Sequence, residues 1–258
     1  MLNEFSKNLV VLGANSDIGS VLVERASQQP DANILAVSHQ SPLPASADRE
    51  NVERHHGIDL SDESHLNSLA KLVERKFNGP FGVVHSVGHF WIHKSLVETS
   101  FTEIVAMIKS QVLTLFGVAR FLTPIMIKNK GGRIVTFSCN SVGFNYPDMS
   151  PFTASKAAIE SFVKCYANEH AEFGISACAL ALPTIRTPKV LKEKANGDHA
   201  NYITPEQLVD FIINHVLTQP HEVNGNVIKL FKHSPTFYHS SYYDRNPRRD
   251  GSPKSKLL

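Results

Sequence analysis

Cysteine is scarce in this chain. Three stand in 258 residues, Cys139, Cys165 and Cys178, odd in number, far apart and without a Cys-x-x-Cys pair. That pattern excludes a disulfide-built scaffold and a cysteine-held zinc site, and it suits a reducing compartment. Long apolar runs are lacking as well. Residues 1–7 hold Asn3, Glu4 and Ser6 where a secretory leader carries its apolar stretch, and no later segment reads as the roughly 18 apolar residues of a membrane span. The expectation is a cytoplasmic protein with no membrane partner. Net charge is small, +2, and local: Arg245, Arg248, Arg249, Lys254 and Lys256 against Asp250 put +4 on residues 245–256, leaving −2 for the rest. A fold without a basic surface is not expected to bind nucleic acid, and residues 233–258, rich in Pro, Ser and Arg, read as a C-terminal extension that buries little.

What is present is a regular alternation. With 42% hydrophobic and 19% charged residues, the chain suits one large α/β domain over residues 1–232. Short apolar runs bounded by Gly and Pro recur at Leu9–Leu12, Ile34–Val37, Val83–His85, Arg133–Phe137, Ala177–Leu182 and Val227–Leu230. These read as buried parallel strands. Between them Leu66, Leu69, Leu72, Val73 and Phe77 keep helical spacing after a Ser61 cap, and Ser100 with Glu103 and Thr204 with Gln207 form capping-box starts. Strand–helix–strand repetition implies right-handed crossovers and a doubly wound, Rossmann-type parallel sheet in three αβα layers, with its ligand crevice beyond the carboxyl ends of the strands.

Four elements at those strand ends carry chemistry. Gly13-Ala14-Asn15-Ser16-Asp17-Ile18-Gly19 follows the first run and opens a helix, where backbone amides can receive a pyrophosphate. His85-Ser86-Val87-Gly88 follows the fourth strand, Phe152-Thr153-Ala154-Ser155-Lys156 sets an aromatic ring and an ammonium four residues apart on one helix face, and Pro183-Thr184-Ile185-Arg186-Thr187 follows a later strand. His85, His89 and His93 are spaced by four, but Gly88 and the strand-end position of His85 argue for a loop rather than a metal site.

In order and spacing these elements resemble the short-chain dehydrogenase/reductase family over roughly residues 5–232. The resemblance implies an NAD(P)-binding fold, with Gly13, Asn15, Ser16, Asp17, Ile18 and Gly19 in the Gly-rich turn, although Asp17 takes the place of its middle glycine. Asp59, with Leu60, resembles the family's adenine-contacting aspartate; the alternative is a capping neighbour of the following helix. Ser86 and Gly88 fall in the family's Asn-Asn-Ala-Gly element, and Pro183 and Thr187 beside the nicotinamide. After the second strand stand Ser38 and His39, with no acid to hold a ribose 2′-hydroxyl. NADP is therefore expected over NAD.

The family's Asn-Ser-Tyr-Lys set maps onto Gln111, Cys139, Phe152 and Lys156. Lys156 alone is kept, and a ring without a hydroxyl cannot pass a proton to a carbonyl oxygen. Ser138 or Ser141 takes the serine's role if the loop register is shifted, Tyr146 is a displaced proton donor or a substrate-loop aromatic, and Cys139 is a reactive thiol or a small buried one. Two readings stay open. One is an NADP(H)-dependent oxidoreductase with an altered proton relay acting on a small molecule; the other is an inactive dinucleotide-binding relative that senses or assembles. Apolar residues on two helices, Ile104, Ile108, Leu115 and Phe116 on one and Ile159, Phe162, Val163 and Tyr166 on the other, further suggest a homodimer or homotetramer.

Overall fold

Leu9 to Leu12 is buried at every position, which a strand achieves only when both faces of its sheet are covered. The same holds along the other central strands of the structure, a computed structural model that describes residues 4–40, 49–88, 94–197, 199–218 and 223–231. Strands β1 (Asn8–Leu12), β2 (Asn33–Val37), β3 (Val52–His55), β4 (Phe81–His85), β5 (Gly132–Cys139), β6 (Ile175–Leu182) and β7 (Val227–Lys229) form one parallel sheet in the order β3-β2-β1-β4-β5-β6-β7. Order reverses between β1 and β4, where Leu12 pairs in register with Val37 on one side and His85 on the other. The carboxyl ends therefore open on a common crevice at that reversal.

Nine α-helices lie in the described residues: α1 (Glu4–Lys7), α2 (Asp17–Ser27), α3 (Glu63–Lys76), α4 (Phe101–Ile108), α5 (Thr114–Lys128), α6 (Ser141–Phe144), α7 (Ser150–His170), α8 (Pro188–Glu193) and α9 (Pro205–Phe211). Alternate strand residues feed two cores. Val10 and Leu12 pack with Leu69 and Val73 of α3, Leu122 of α5 and Ile159 and Val163 of α7, whereas Leu9 and Val11 pack with Leu22 and Val23 of α2 and Leu208 of α9. Each such side chain contributes about 1.5–3 kcal/mol by leaving water, so the three-layer αβα sandwich is held from both faces. Arg133, fully buried on β5, ties its far corner together. Its guanidinium donates to Ser176 Oγ (2.9 Å) and to the carbonyl of Val216, and lies 5.2 Å from the Phe5 ring centroid. Burial pushes its pKa down to about 10.

Both capping boxes form as the sequence suggests, at Ser100/Glu103 and Thr204/Gln207. Other local expectations move. The cap of α3 is Asp62, whose carboxylate accepts from the Ser64 and His65 amides, rather than Ser61. Helix α7 begins at Ser150, and this places Phe152 in its first turn. The stretch Phe101–Lys128 is helical throughout, passing through a π-helical turn at Lys109–Leu113, and it is long and apolar enough to cross a membrane by length and composition. Here its Leu115, Val118 and Leu122 pack into the sheet. The basic segment 245–256, His89 and His93 lie outside the described residues.

Candidate active site

The Gly-rich turn is shaped by collisions that a side chain would cause. Gly13 has φ +77°, and a Cβ there would sit against the Ser86 carbonyl oxygen; a Cβ on Gly19 would sit against the Gly13 carbonyl oxygen. Glycine at both places lets the turn close beneath Ser86. Ser16 caps α2 by accepting the Gly19 amide (3.0 Å), and its hydroxyl meets that of Ser86 at 3.2 Å. Asp17 and Asn15 are exposed. Among the described residues no hydrogen bond from the Asp17 or Ile18 amide is made, so two first-turn donors at the positive end of an 11-residue helix point outward.

A cavity of about 340 Å³ begins at this turn and runs along the strand ends. Of the residues expected at the site, Ser16, Asp17, Ile18, Ser86, Gly88, Cys139, Phe152, Lys156, Pro183 and Thr187 line it, together with Tyr146 and Thr184. Lys156 is buried, donates from Nζ to the Phe137 carbonyl (2.8 Å), and lies 5.5 Å from the Phe152 ring centroid. Burial pushes its pKa down to about 8, against a smaller opposing pull from Cys139. Phe152, 9% exposed, packs with Met107 and Met149, with Cys139 and Tyr146 against the same cluster. Its ring thus forms wall, not plug.

The three serine-position candidates separate. Ser138 Oγ donates to Glu160 on α7 (2.6 Å). Cys139 Sγ, half-buried, accepts the Ser141 amide at 3.4 Å, and Ser141 itself is fully buried with its hydroxyl unpartnered among the described residues. Only the thiol is both reachable and uncommitted to a carboxylate.

Several expected residues stand off the cavity wall. Gln111 is fully buried in the π-helical turn, where a Cβ on Gly88 would come within 3.1 Å of its Cγ. It backs the 86–88 loop instead of facing the cavity. Ser38 is buried, its amide and carbonyl bonded to His55 and Ile58, and His39 is the exposed member of the pair. Asp59 lies four residues past the end of β3, and Leu60 is buried beneath it. The Asp59 carboxylate takes the Ser61 amide and hydroxyl (2.9 and 2.6 Å). Those bonds, chiefly the hydroxyl's, hold its pKa below the ordinary value, and the charges of His39 and Lys109 pull the same way. Thr187, which does line the cavity, also caps α8 by accepting the Val190 amide (3.3 Å). His85 is buried between Thr114 and Thr136, and no cluster of metal-ligating residues occurs among the described residues.

The sequence reading passed over Lys194, on the cavity wall beyond Cys139. No spacing signal marks it; its place depends on a turn built from Gly197 and His199.

The short chain dehydrogenase family model matches residues 7–197. The chain is 25% identical over 237 residues to a fatty acyl-CoA reductase of Acinetobacter baylyi, covering 88% of this chain and 79% of the relative. Among solved structures, ElxO with NADP bound superposes with a TM-score of 0.76 at 21% identity, over 86% of this chain and 96% of the other. A tyrosine-to-phenylalanine variant of ElxO with NADPH bound superposes with a TM-score of 0.75, at the same identity and coverage. These likenesses establish the fold. With a family match over most of its length, this chain belongs to the short chain dehydrogenase family of oxidoreductases.

Proposed function

We propose that the chain is an NADP(H)-dependent oxidoreductase whose proton relay departs from a tyrosine-based one. One observation carries the reading: the cavity stays open from the α2 amides past Lys156 and Cys139, with Phe152 in its wall. The residues fit the dinucleotide. Gly13 and Gly19 leave a cradle that a Cβ would fill, and the Asp17 and Ile18 amides offer donors to a pyrophosphate. At the end of β2 stand Ser38 and the exposed His39, neither of which carries a carboxylate that would repel a 2′-phosphate. That ElxO, which shares this fold, holds NADP in its intact form and NADPH in its phenylalanine form supports the assignment.

When bound, NADP(H) supplies or takes the hydride. The chain's own residues do the rest. Lys156 anchors the ribose beside Phe137, Thr187 and Pro183 bound the nicotinamide slot, Gln111 positions the 86–88 loop from behind, and Cys139 meets the substrate. With no hydroxyl at Phe152, the proton comes from water admitted by the open cavity. The packing of Phe152 among Met107 and Met149 favours a second reading, a dinucleotide-binding relative that performs no turnover.

Fluorescence titration with NADPH and NADH tests both parts. NADPH is expected to bind about tenfold more tightly, the scale of one added charge-assisted contact. A preference for NADH overturns the cofactor assignment, and NADPH binding without turnover on any carbonyl substrate selects the second reading.

The same proposal includes a homo-oligomer. Ile159, Val163, Tyr166 and Leu115 are spent in the core, but Phe101 (79% exposed), Val105, Ile108, Leu113 and Phe116 leave an apolar face along α4 and the start of α5. Phe116 stacks on Phe162 of α7 at 4.7 Å, joining the two helices into one surface. Light scattering at micromolar concentration is expected to give a multiple of 28.6 kDa. A monomer counts against it.

A further inference from the structure

Three lysines line the cavity with Cys139, and the two that are not exposed, Lys156 and Lys194, differ in what holds them. Lys156 is bonded to the Phe137 carbonyl. Lys194 is half-buried, and its ammonium makes no hydrogen bond or ion pair among the described residues. Burial holds its pKa below the ordinary lysine value, with the charges of Cys139 and the exposed Glu193 opposing. The cavity it lines is largely apolar, with Met149, Phe152, Leu182, Ile185 and Val190 on its wall beside polar groups such as Cys139 and Thr184. An ammonium withdrawn from water into such a wall is costly unless an anion meets it.

Its backbone is fixed from three sides. The Lys194 amide donates to the Val190 carbonyl (2.8 Å), and its own carbonyl accepts from the Gly197 amide (2.8 Å) and from His199 Nε2 (2.7 Å). A Cβ on Gly197 would press on the Tyr202 hydroxyl, and the His199 ring rests on Tyr202 at 5.6 Å between centroids. The segment after α8 is organised around the peptide that carries this lysine.

We propose that Lys194 anchors a carboxylate on the substrate, so that the cavity selects carbonyl compounds with an anionic head and an apolar body. This rests on the oxidoreductase reading above and names its substrate class. A single ammonium is a point charge and suits one carboxylate; it lacks the fork with which arginine grips larger anions. Lys189 also lines the cavity, but it is exposed at the rim.

The test compares octanoate with octanamide, equal in length and differing in charge, by isothermal titration of the full chain with and without NADP. Wild type is expected to bind octanoate about tenfold or more tightly than octanamide, as one charged hydrogen bond would give. Lys194→Met should erase that preference and leave octanamide binding unchanged, which also reports an intact cavity. Lys194→Arg and Lys189→Met should keep it, and Lys194→Gln serves if the methionine variant does not fold. Equal affinities in wild type, a preference surviving Lys194→Met and Lys194→Gln, or loss of it in Lys189→Met would each overturn the assignment. So would displacement of octanoate by NADP, which would put the anion in the cofactor's place. Titrating NADP on the same samples keeps the two readings apart. Failure to bind NADP would sink the oxidoreductase while the octanoate comparison still stood, and NADP binding without an octanoate preference would sink only the carboxylate anchor.

Discussion

Phe152→Tyr is expected to raise carbonyl reduction by about 10²- to 10⁴-fold, roughly 3–5 kcal/mol of barrier, the range a positioned general acid supplies. The ring already lines the cavity, with the Lys156 ammonium 5.5 Å from its centroid. A phenol there would feel that charge, and an adjacent cation favours the phenolate, drawing the new acid toward working pH. Lys156, held near a pKa of about 8 by burial, would in turn be steadied as a cation. The expected cost is small if the hydroxyl faces the cavity. Turned toward Met107 and Met149 it would be an unpaired polar group, destabilising by about 1–3 kcal/mol, so stability is measured beside activity. Ordinary turnover by the wild type would show that another donor serves. A folded, NADPH-binding Phe152→Tyr protein that stays inert would move the defect to Gln111, Cys139 or Thr184, and Phe152→Tyr combined with Cys139→Ser would examine the thiol next.

How far the sequence reaches depends on whether a position is fixed locally. Leu9–Leu12 and Ala177–Leu182 are legible because strands buried on both faces need unbroken apolar runs. Strand β3, counted in the sequence as ending near Asp59, ends at His55; Val-Glu-Arg-His sits at the sheet edge with only Val52 buried, so no apolar run marks its bounds. The start of α7 has no capping side chain to announce it, as Met149 offers none. At the site, motif spacing singled out Phe152, Lys156 and Cys139, and all three line the cavity. It could not tell that Gln111 lies behind Gly88, that Ser138 is committed to Glu160, or that Lys194, whose carbonyl is held by Gly197 and His199, lines the cavity. Those are tertiary facts, each made by a partner more than two residues away.

A second large effect is expected in acid, from His85. Its imidazole is buried at the end of β4, near Thr114 Oγ1 (3.0 Å) and Thr136 Oγ1 (3.5 Å). The Thr114 hydroxyl gives its single proton to the Ser110 carbonyl (2.7 Å), so it can only accept from His85 Nε2. The ring is thereby set as the neutral Nε2–H form, with Nδ1 left to accept from Thr136. Burial, and then the charge of Lys156, push its pKa down from 6.5 to about 3. The sign follows from proton counting. Between those two values the unfolded chain binds a proton that the folded chain refuses, so stability is complete above pH 6.5 and falls as pH drops toward 3. By pH 4 the loss from this one group should reach about 3 kcal/mol. Carboxylates such as Glu103, held down to about 2 by Lys94 and Ser100, also lose their contribution in acid, which makes the wild-type curve alone ambiguous. His85→Asn isolates the histidine. The variant should lose about 1–2 kcal/mol at pH 7.5 through poorer packing, yet its stability should decline less with acid, so that the two urea-unfolding curves converge and cross at about pH 5–6. Parallel curves from pH 7.5 to pH 4 would mean that His85 titrates alike in both states, and the neutral, threonine-bound imidazole would have to be given up.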